Sequence, residues 1–302
     1  MISAAVIEAL KEIVPADKVL LQEPMKLHTT FRIGGPADCL VYLENEEQLC
    51  KIQKYLRLVD VPYTVIGNGS NLLVSDQGYA GIVLVVGKHM SRIEVKDCYL
   101  EAEAGALMSQ VAKAAKEHGL TGLEFAAGIP GTIGGGAVMN AGAYGGEMKD
   151  VTEEVTVLTE KGEVKTLKRE ELKMGYRTSI IAEKGYLVLE AVLQLTDGDL
   201  KEIRAVMEDL KKKRISKQPL EYPSAGSTFK RPEGYFAGKL ISDAGLKGFS
   251  VGGAQVSEKH AGFVINTGNA TAADVIALTD AVRDKVFEKY GVKLELEIKQ
   301  LG

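Results

Sequence analysis

Residues 128–146 read GIPGTIGGGAVMNAGAYGG, from Gly128 to Gly146, and eight of these nineteen positions are glycine out of 33 in the chain. Glycine loses the most backbone entropy on folding and offers no side chain to pack, so a run this rich in it needs a compensating reason. A flexible linker does not fit the composition. Ile129, Ile133, Val138 and Met139 are interleaved, Pro130 stiffens the entry and serine is absent. A set of tight turns is the plain alternative. The reading that uses the glycines is a backbone surface approached closely by a flat or phosphate-bearing ligand, which only the absence of Cβ allows.

The rest of the chain sets the frame for that ligand. Its 302 residues are 45% hydrophobic and 26% charged with a net charge of −4, a globular composition for two or three domains. No basic field marks a nucleic-acid partner. The longest apolar run, Ile82–Val86, is strand-length, so no membrane insertion is expected. The opening MISAAVIEALKEIV carries Glu8 and Glu12 and lacks a cationic start, and it reads as an amphipathic helix instead of a targeting signal. Cys39, Cys50 and Cys98 are widely spaced without CxxC, and His28, His89, His118 and His260 form no ligand spacing. Neither a disulfide framework nor a metal site is expected, and the expected location is cytoplasmic, with no obligate protein partner.

Periodicity predicts helices over 44–58, 109–118, 199–214 and 271–290, the last capped by Thr271 with Asp274 at its third position. Strands are expected at 39–43, 62–66, 72–74, 82–86, 186–195, 261–266 and 292–301. Hairpins are expected over 92–104, turning at Asp97, and over 153–167, turning at Glu160-Lys161-Gly162. Helix 199–214 should turn Ile203, Val206, Met207 and Leu210 to one side. The elements alternate without the regular rhythm of a doubly wound sheet, which indicates an α+β fold with more than one sheet.

The dinucleotide fingerprint GxGxxG is absent: Gly67-x-Gly69 fails at Leu72 and Gly134-x-Gly136 at Met139. GxxxxGK[ST] is absent as well. What does occur is the strand 62–66 emptying into Gly67-Asn68-Gly69-Ser70-Asn71, where a tight turn or a pyrophosphate cradle are both open readings. Ser227-Thr228-Phe229-Lys230 spells SxxK, but without KTG or SDN partners an acyl-enzyme hydrolase is not supported. Along the final strand, period two sets Lys293, Glu295, Glu297 and Lys299 on one face and does not choose between the two acids.

Taken together, IGNGSNLLVSDQGYAGIVL and AAGIPGTIGGGAVMNAGAYGGE, with TTFRIGGPA at 29–37, GYRTS at 175–179, SAGSTFKRP at 224–232 and the terminal EIKQLG, closely resemble the UDP-N-acetylenolpyruvoylglucosamine reductases of bacterial cell-wall synthesis, the MurB family. The resemblance spans nearly the whole chain after the first helix. It implies a two-lobed FAD-binding domain of the vanillyl-alcohol-oxidase/PCMH type and a C-terminal α+β substrate domain. The expected divisions are 1–27 for the lead-in, 28–196 for the flavin domain (lobes of about 28–86 and 87–196) and 197–302 for the substrate domain.

By the same resemblance, Gly67, Asn68, Gly69, Ser70 and Asn71 lie on the FAD pyrophosphate, and Pro130, Gly131, Thr132, Gly134 and Gly135 line the pyrophosphate and isoalloxazine, with Gly105 in the same site. Arg177 would bind the substrate carboxylate, a task suited to a fixed cationic fork. Ser227 would donate a proton to substrate carbon. The terminal pattern selects Glu297 as the catalytic acid, although Leu296 stands where the family often has proline. Tyr144, Tyr176, Lys217 and His260 would face the substrate, UDP-N-acetylglucosamine enolpyruvate. NADPH would supply the reducing equivalents. The segment from Leu195 to Arg214 has no tyrosine, which suits the shorter subtype lacking a substrate-closing loop. A flavin-dependent alcohol or sugar oxidase on the same scaffold, and a ligand-binding protein without turnover, are the alternatives. The SAGSTFKRP and EIKQLG stretches argue against the first, and the presence of all three catalytic-position residues against the second.

Overall fold

A computed structural model of the protein describes residues 2–302, which form two compact units. The first comprises the chain up to Leu21, Cys39–Asn68 and Gly81–Lys213; the second comprises Gln22–Asp38, Gly69–Ala80 and Arg214–Gly302. Both are discontinuous, a property that a linear division at 27/28 and 196/197 has no means to express.

In the first unit, Ser3 caps the amphipathic helix Ala4–Ile13 by accepting from the Val6 N–H, and the helix buries Val6 and Leu10. Helix Glu46–Leu58 starts at Asn45, whose side chain accepts from the Gln48 N–H at 3.0 Å. Glu46 and Glu47 in its first turn complement the helix dipole, and Leu49, Ile52 and Leu56 make its buried stripe. Strand Tyr63–Ile66 runs parallel to Tyr79–Val85, with Ile66 opposite Val85. They belong to a four-stranded sheet that continues through Pro36–Tyr42 to Val19–Pro24. A second, antiparallel sheet takes the order Val164–Lys168, Thr152–Leu158, Leu187–Gln194, Tyr99–Glu103 and Ile93–Lys96. Both expected hairpins are present in it, and Asp97 turns the first at φ 52°. Helix Met108–Glu117 is followed by Gly119 at φ 71°, the left-handed conformation a C-terminal glycine supplies.

The glycine stretch differs from expectation. Residues Ile133–Met139 form a short helix with Thr132 as its N-cap and Asn140 as its left-handed C-cap at φ 45°. Glycine disfavours helix by about 1 kcal/mol per residue relative to alanine, so nothing local announces this helix. Tertiary packing overrides that preference. A Cβ on Gly134 would sit 3.0 Å from the Ala104 Cβ, and one on Gly136 would sit 3.0 Å from the Met108 sulfur.

The second unit packs helix Ala272–Tyr290 and helix Ala237–Asp243 with an antiparallel sheet of Ser250–Val251, Ala254–Val256 and Val264–Asn266. Thr271 and Asp274 form the expected reciprocal cap, while Val275, Leu278, Val282 and Val286 supply the buried stripe. The terminal strand is shorter than expected. Only Lys299–Leu301 pairs regularly, parallel to Leu72–Val74, and Leu296 makes an isolated bridge with Phe229. Alternating burial persists over 292–298, with Leu294 and Ile298 buried and Lys293 and Glu295 exposed; what the segment lacks is a continuous partner strand. Helix Leu200–Lys217 also departs from its pattern. Ile203 alone is buried, and Val206 is 47% exposed, because charged residues occupy most of the circumference.

Candidate active site

Two of the glycine loops lie against each other in the first unit. The Asn68 side-chain amide donates to the Pro130 carbonyl at 2.6 Å, and a Cβ on Gly67 would run into the Thr132 hydroxyl. Thr132, itself buried, caps the helix by accepting from the Gly135 N–H at 3.4 Å. The neighbouring glycines then divide into two kinds. Gly134 gives its N–H to the Ala104 carbonyl at 2.8 Å, and Gly105 gives its own to Met90, with the Gly87 and Met90 carbonyls where a side chain would be. Their small size is consumed by close backbone crossings. Gly135 is exposed, and the nearest atom to a Cβ there would be the Thr132 hydroxyl at 3.8 Å, so its face of the helix is bare backbone. The Met108 N–H donates to the Gly131 carbonyl at 3.0 Å.

Beyond the helix, Gly142–Ala143 and Gly146–Glu147 pair as a two-residue hairpin whose tip is Tyr144 at φ 53° and Gly145 at φ 93°. Two positive φ values define the turn that matches strand twist, and they place the Tyr144 ring outward, 45% exposed.

Arg177 stands on a second tight turn, where Gly175 and Thr178 exchange backbone hydrogen bonds at 3.0 and 3.4 Å. Its own φ is 56°, a conformation that costs a residue with a Cβ roughly 1–2 kcal/mol. The guanidinium donates to the Asn140 carbonyl at 3.4 Å and the Gly142 carbonyl at 3.3 Å, and lies 5.1 Å from the centre of the half-exposed Tyr176 ring. Glu147 lies nearby. Burial pushes its carboxyl up, but hydrogen bonds from Lys149 and Asn140 and the charges of Lys149 and Arg177 outweigh this and hold it below the usual range. The buried Ser179 hydroxyl fastens the far side of the turn to the Val138 carbonyl at 2.7 Å.

In the second unit, the Glu297 N–H donates to the Thr228 carbonyl and the Lys230 N–H to the Glu295 carbonyl, both at 2.8 Å. The segment that bears Ser227 is thereby paired, antiparallel, with the segment that bears Glu297. Thr228 is buried, donates its N–H to Gly262 and accepts the Val264 N–H on its hydroxyl, which fixes the same segment to the sheet. Ser227, one residue earlier, is half-buried. The two acids on the terminal segment also separate here. Glu295 is 73% exposed and ion-paired with Lys230, whereas Glu297 is half-buried. Asn71 holds Glu297 from the other side: its side-chain amide donates to the Glu297 carbonyl at 3.2 Å and its own carbonyl accepts the Lys299 N–H at 2.9 Å. Gly69, before it, has φ 58° and passes against the His28 carbonyl, and its own carbonyl accepts the Thr30 N–H at 3.3 Å. Ser70 is half-buried in the same loop.

Lys217 and His260 are brought near each other. Burial lowers the His260 pKa, a backbone hydrogen bond pulls the other way, and the positive charges of Lys247 and Lys217 add to the lowering. Its Nδ1 accepts the Gly262 N–H at 3.1 Å, so the neutral ring carries its proton on Nε2. Lys247 is a cation that motif reading missed; it stands in no recognisable pattern. Asn140 was missed as well, although an asparagine just after a helix is a known left-handed cap. Among the described residues, no group of three or more His, Cys, Asp or Glu is arranged to hold a metal, and no helix is long and apolar enough to cross a membrane.

Comparison with known proteins accounts for both units. Residues 37–168 match the FAD binding domain family, and residues 218–301 match the family of the UDP-N-acetylenolpyruvoylglucosamine reductase C-terminal domain. The fold is that of a FAD-dependent flavoprotein, and the bare Gly135 backbone beside the Asn68–Pro130 loop pair suits a flat, phosphate-linked cofactor. A UDP-N-acetylenolpyruvoylglucosamine reductase of Agathobacter rectalis is 55% identical over 98% of each chain, and one of Caldanaerobacter subterraneus subsp. tengcongensis is 53% identical, again over 98% of each. The chain belongs to the UDP-N-acetylenolpyruvoylglucosamine reductase family. The crystal structure of the enzyme (MurB) from Thermus caldophilus agrees with a TM-score of 0.80 at 37% identity, covering 94% of this chain and 98% of that one. A 4-ethylphenol oxidase of Gulosibacter chungangensis shares the fold, with a TM-score of 0.50 at 14% identity over 97% of this chain and 64% of that one.

Proposed function

We propose that this chain reduces UDP-N-acetylglucosamine enolpyruvate to UDP-N-acetylmuramate in the cytoplasmic synthesis of peptidoglycan precursors, with Arg177, Ser227 and Glu297 as its catalytic residues. FAD held by the glycine loops would supply the hydride chemistry, with NADPH as the source of the reducing equivalents and C3 of the enolpyruvyl double bond as their destination. The side chains complete that reduction. Arg177 pairs its guanidinium fork with the substrate carboxylate and opposes the negative charge that grows as hydride arrives. The Ser227 hydroxyl gives its proton to C2, so the double bond is replaced by one C–H from hydride and one from the serine, which recovers a proton from solvent. Glu297, in its protonated form, shares the stabilisation of the same charge. Gly67, Asn68, Gly69, Ser70 and Asn71, with Pro130, Gly131, Thr132 and Gly135, hold the cofactor, while Gly134 and Gly105 serve the same site by letting the backbones beneath it cross closely. Tyr144, Tyr176, Lys217 and His260 hold the substrate, and a neutral His260 offers Nε2–H as a donor to an anionic group.

The observation that carries this reading is the crossing of 228–230 with 295–297, which ties the residue next to Ser227 directly to the Glu297 amide. It couples a proton donor and a carboxylate through main chain alone. An oxidase on the same scaffold is disfavoured by the match of residues 218–301 to the reductase C-terminal domain.

The test is spectroscopic. Purified protein should be yellow, NADPH should bleach it without oxygen, and the enolpyruvyl sugar nucleotide should restore the colour. Recovery with oxygen but not with the sugar nucleotide would replace reductase by oxidase.

A further inference from the structure

We propose that Asn140 is a positioning residue for Arg177, holding the guanidinium in the place from which it meets the substrate carboxylate; this rests on the role given to Arg177 above. Asn140 is fully buried, and its side chain is completely engaged. The two amide hydrogens go to Glu147 Oε2 at 2.8 Å and to the Gly175 carbonyl at 2.9 Å, while Oδ1 accepts the Lys149 N–H at 2.9 Å. Its main-chain carbonyl accepts from the Arg177 guanidinium. One residue thus grips the turn under Arg177 through Gly175, the guanidinium itself through its carbonyl, and the hairpin bearing Glu147.

The residue type is informative. At φ 45° the lowest-strain choice is glycine, which this stretch uses freely. Asparagine tolerates the left-handed region but is retained here with every side-chain polar group paired, which points to use of the amide itself. The need for such a clamp follows from Arg177. Its backbone is also left-handed, and the bonds it gives to the Asn140 and Gly142 carbonyls, at 3.4 and 3.3 Å, are long for N–H···O, so the placement of the turn beneath it matters. Removing the Gly175 tether would let the turn relax and carry the guanidinium with it.

The test uses Asn140→Gly, which keeps the left-handed backbone and deletes only the side chain, with the near-isosteric Asn140→Asp as a second variant. In the FAD-loaded enzyme, bleaching by NADPH should stay within about twofold of wild type. Recovery by the enolpyruvyl substrate should slow by about 10- to 100-fold, the range expected for a displacement near 1 Å. Substrate affinity, measured by calorimetry on the oxidised enzyme, should fall in parallel. In an Arg177→Ala background, Asn140→Gly should add less than about threefold, because residues acting through one group are not additive. A purely structural role predicts the contrary: both half-reactions slow together, or the two substitutions multiply, and either result overturns the proposal. If Arg177→Ala alone leaves recovery unchanged, the assignment of Arg177 fails, and the proposal fails with it by a different signature.

Discussion

Arg177, in the first unit, is carried by a two-residue turn in which its own backbone is left-handed, and its head group rests on carbonyls at the end of the glycine helix. Ser227 and Glu297, in the second, sit on two segments distant in sequence whose backbones pair around Thr228 and Leu296. The first arrangement stores strain and depends on side-chain hydrogen bonds to hold it. The second is chiefly a main-chain pairing, steadied by the Thr228 hydroxyl and the Asn71 amide. The teaching is that a substitution near Arg177 should propagate into its placement, whereas one at Ser227 should remove a proton and little else.

Ser227 aside, the largest effect is expected at Arg177. Arg177→Ala should slow recovery by the enolpyruvyl substrate by about 10²–10³, the usual cost of losing a donor to developing negative charge. Arg177→Lys should restore only part of it, since the ammonium lacks the planar fork. Full rescue by lysine in single-turnover recovery would reduce the turn to a carrier of bare charge.

The two kinds of glycine give a smaller and opposed pair of effects. Gly134→Ala forces a methyl to within 3.0 Å of the Ala104 Cβ and 3.1 Å of its carbonyl, and should destabilise by about 1–3 kcal/mol. Gly135→Ala, whose methyl would make only an ordinary contact with the Thr132 hydroxyl at 3.8 Å, should stabilise the FAD-free protein by roughly 0.5–1 kcal/mol while weakening retention of FAD. Melting temperatures with and without FAD measure both. Unchanged FAD affinity in Gly135→Ala would move the cofactor off that face.

The smallest effect lies on the first unit's antiparallel sheet. Burial, and then hydrogen bonding and repulsion from Glu101, raise the Glu190 pKa from 4.5 to about 7, against the pull of Arg92. The folded protein therefore binds this proton more tightly than the unfolded chain, and the group's unfavourable contribution grows as pH rises from about 4.5 to 7. Glu190→Gln should gain stability over wild type across that window, by less than about 1 kcal/mol once solvent screening is allowed for. Equal melting shifts at pH 4 and pH 8 would contradict it.

Much of this was legible in the sequence because it is periodic or capped. The Glu46–Leu58 stripe, the hairpin turning at Asp97 and the Thr271–Asp274 cap follow from local chemistry. The helix at Ile133–Met139 was not, because the close fit that requires its glycines is against Ala104 and Met108, residues no local window includes. At the site, period two left Glu295 and Glu297 equivalent; burial of one and the Lys230 ion pair of the other separate them only in three dimensions. Lys247 belongs to no motif, and Asn140, although inside the glycine-rich stretch, carries no mark that sets it apart there; only their neighbours disclose them.

The most direct measurement is a pair of anaerobic half-reaction rates in Ser227→Ala. With Ser227 as the C2 proton donor, bleaching by NADPH should match wild type within about twofold, while recovery by UDP-N-acetylglucosamine enolpyruvate should fall by about 10²–10⁴, the range for loss of a general acid. Recovery at the wild-type rate, or an equal loss in both half-reactions, would contradict that role.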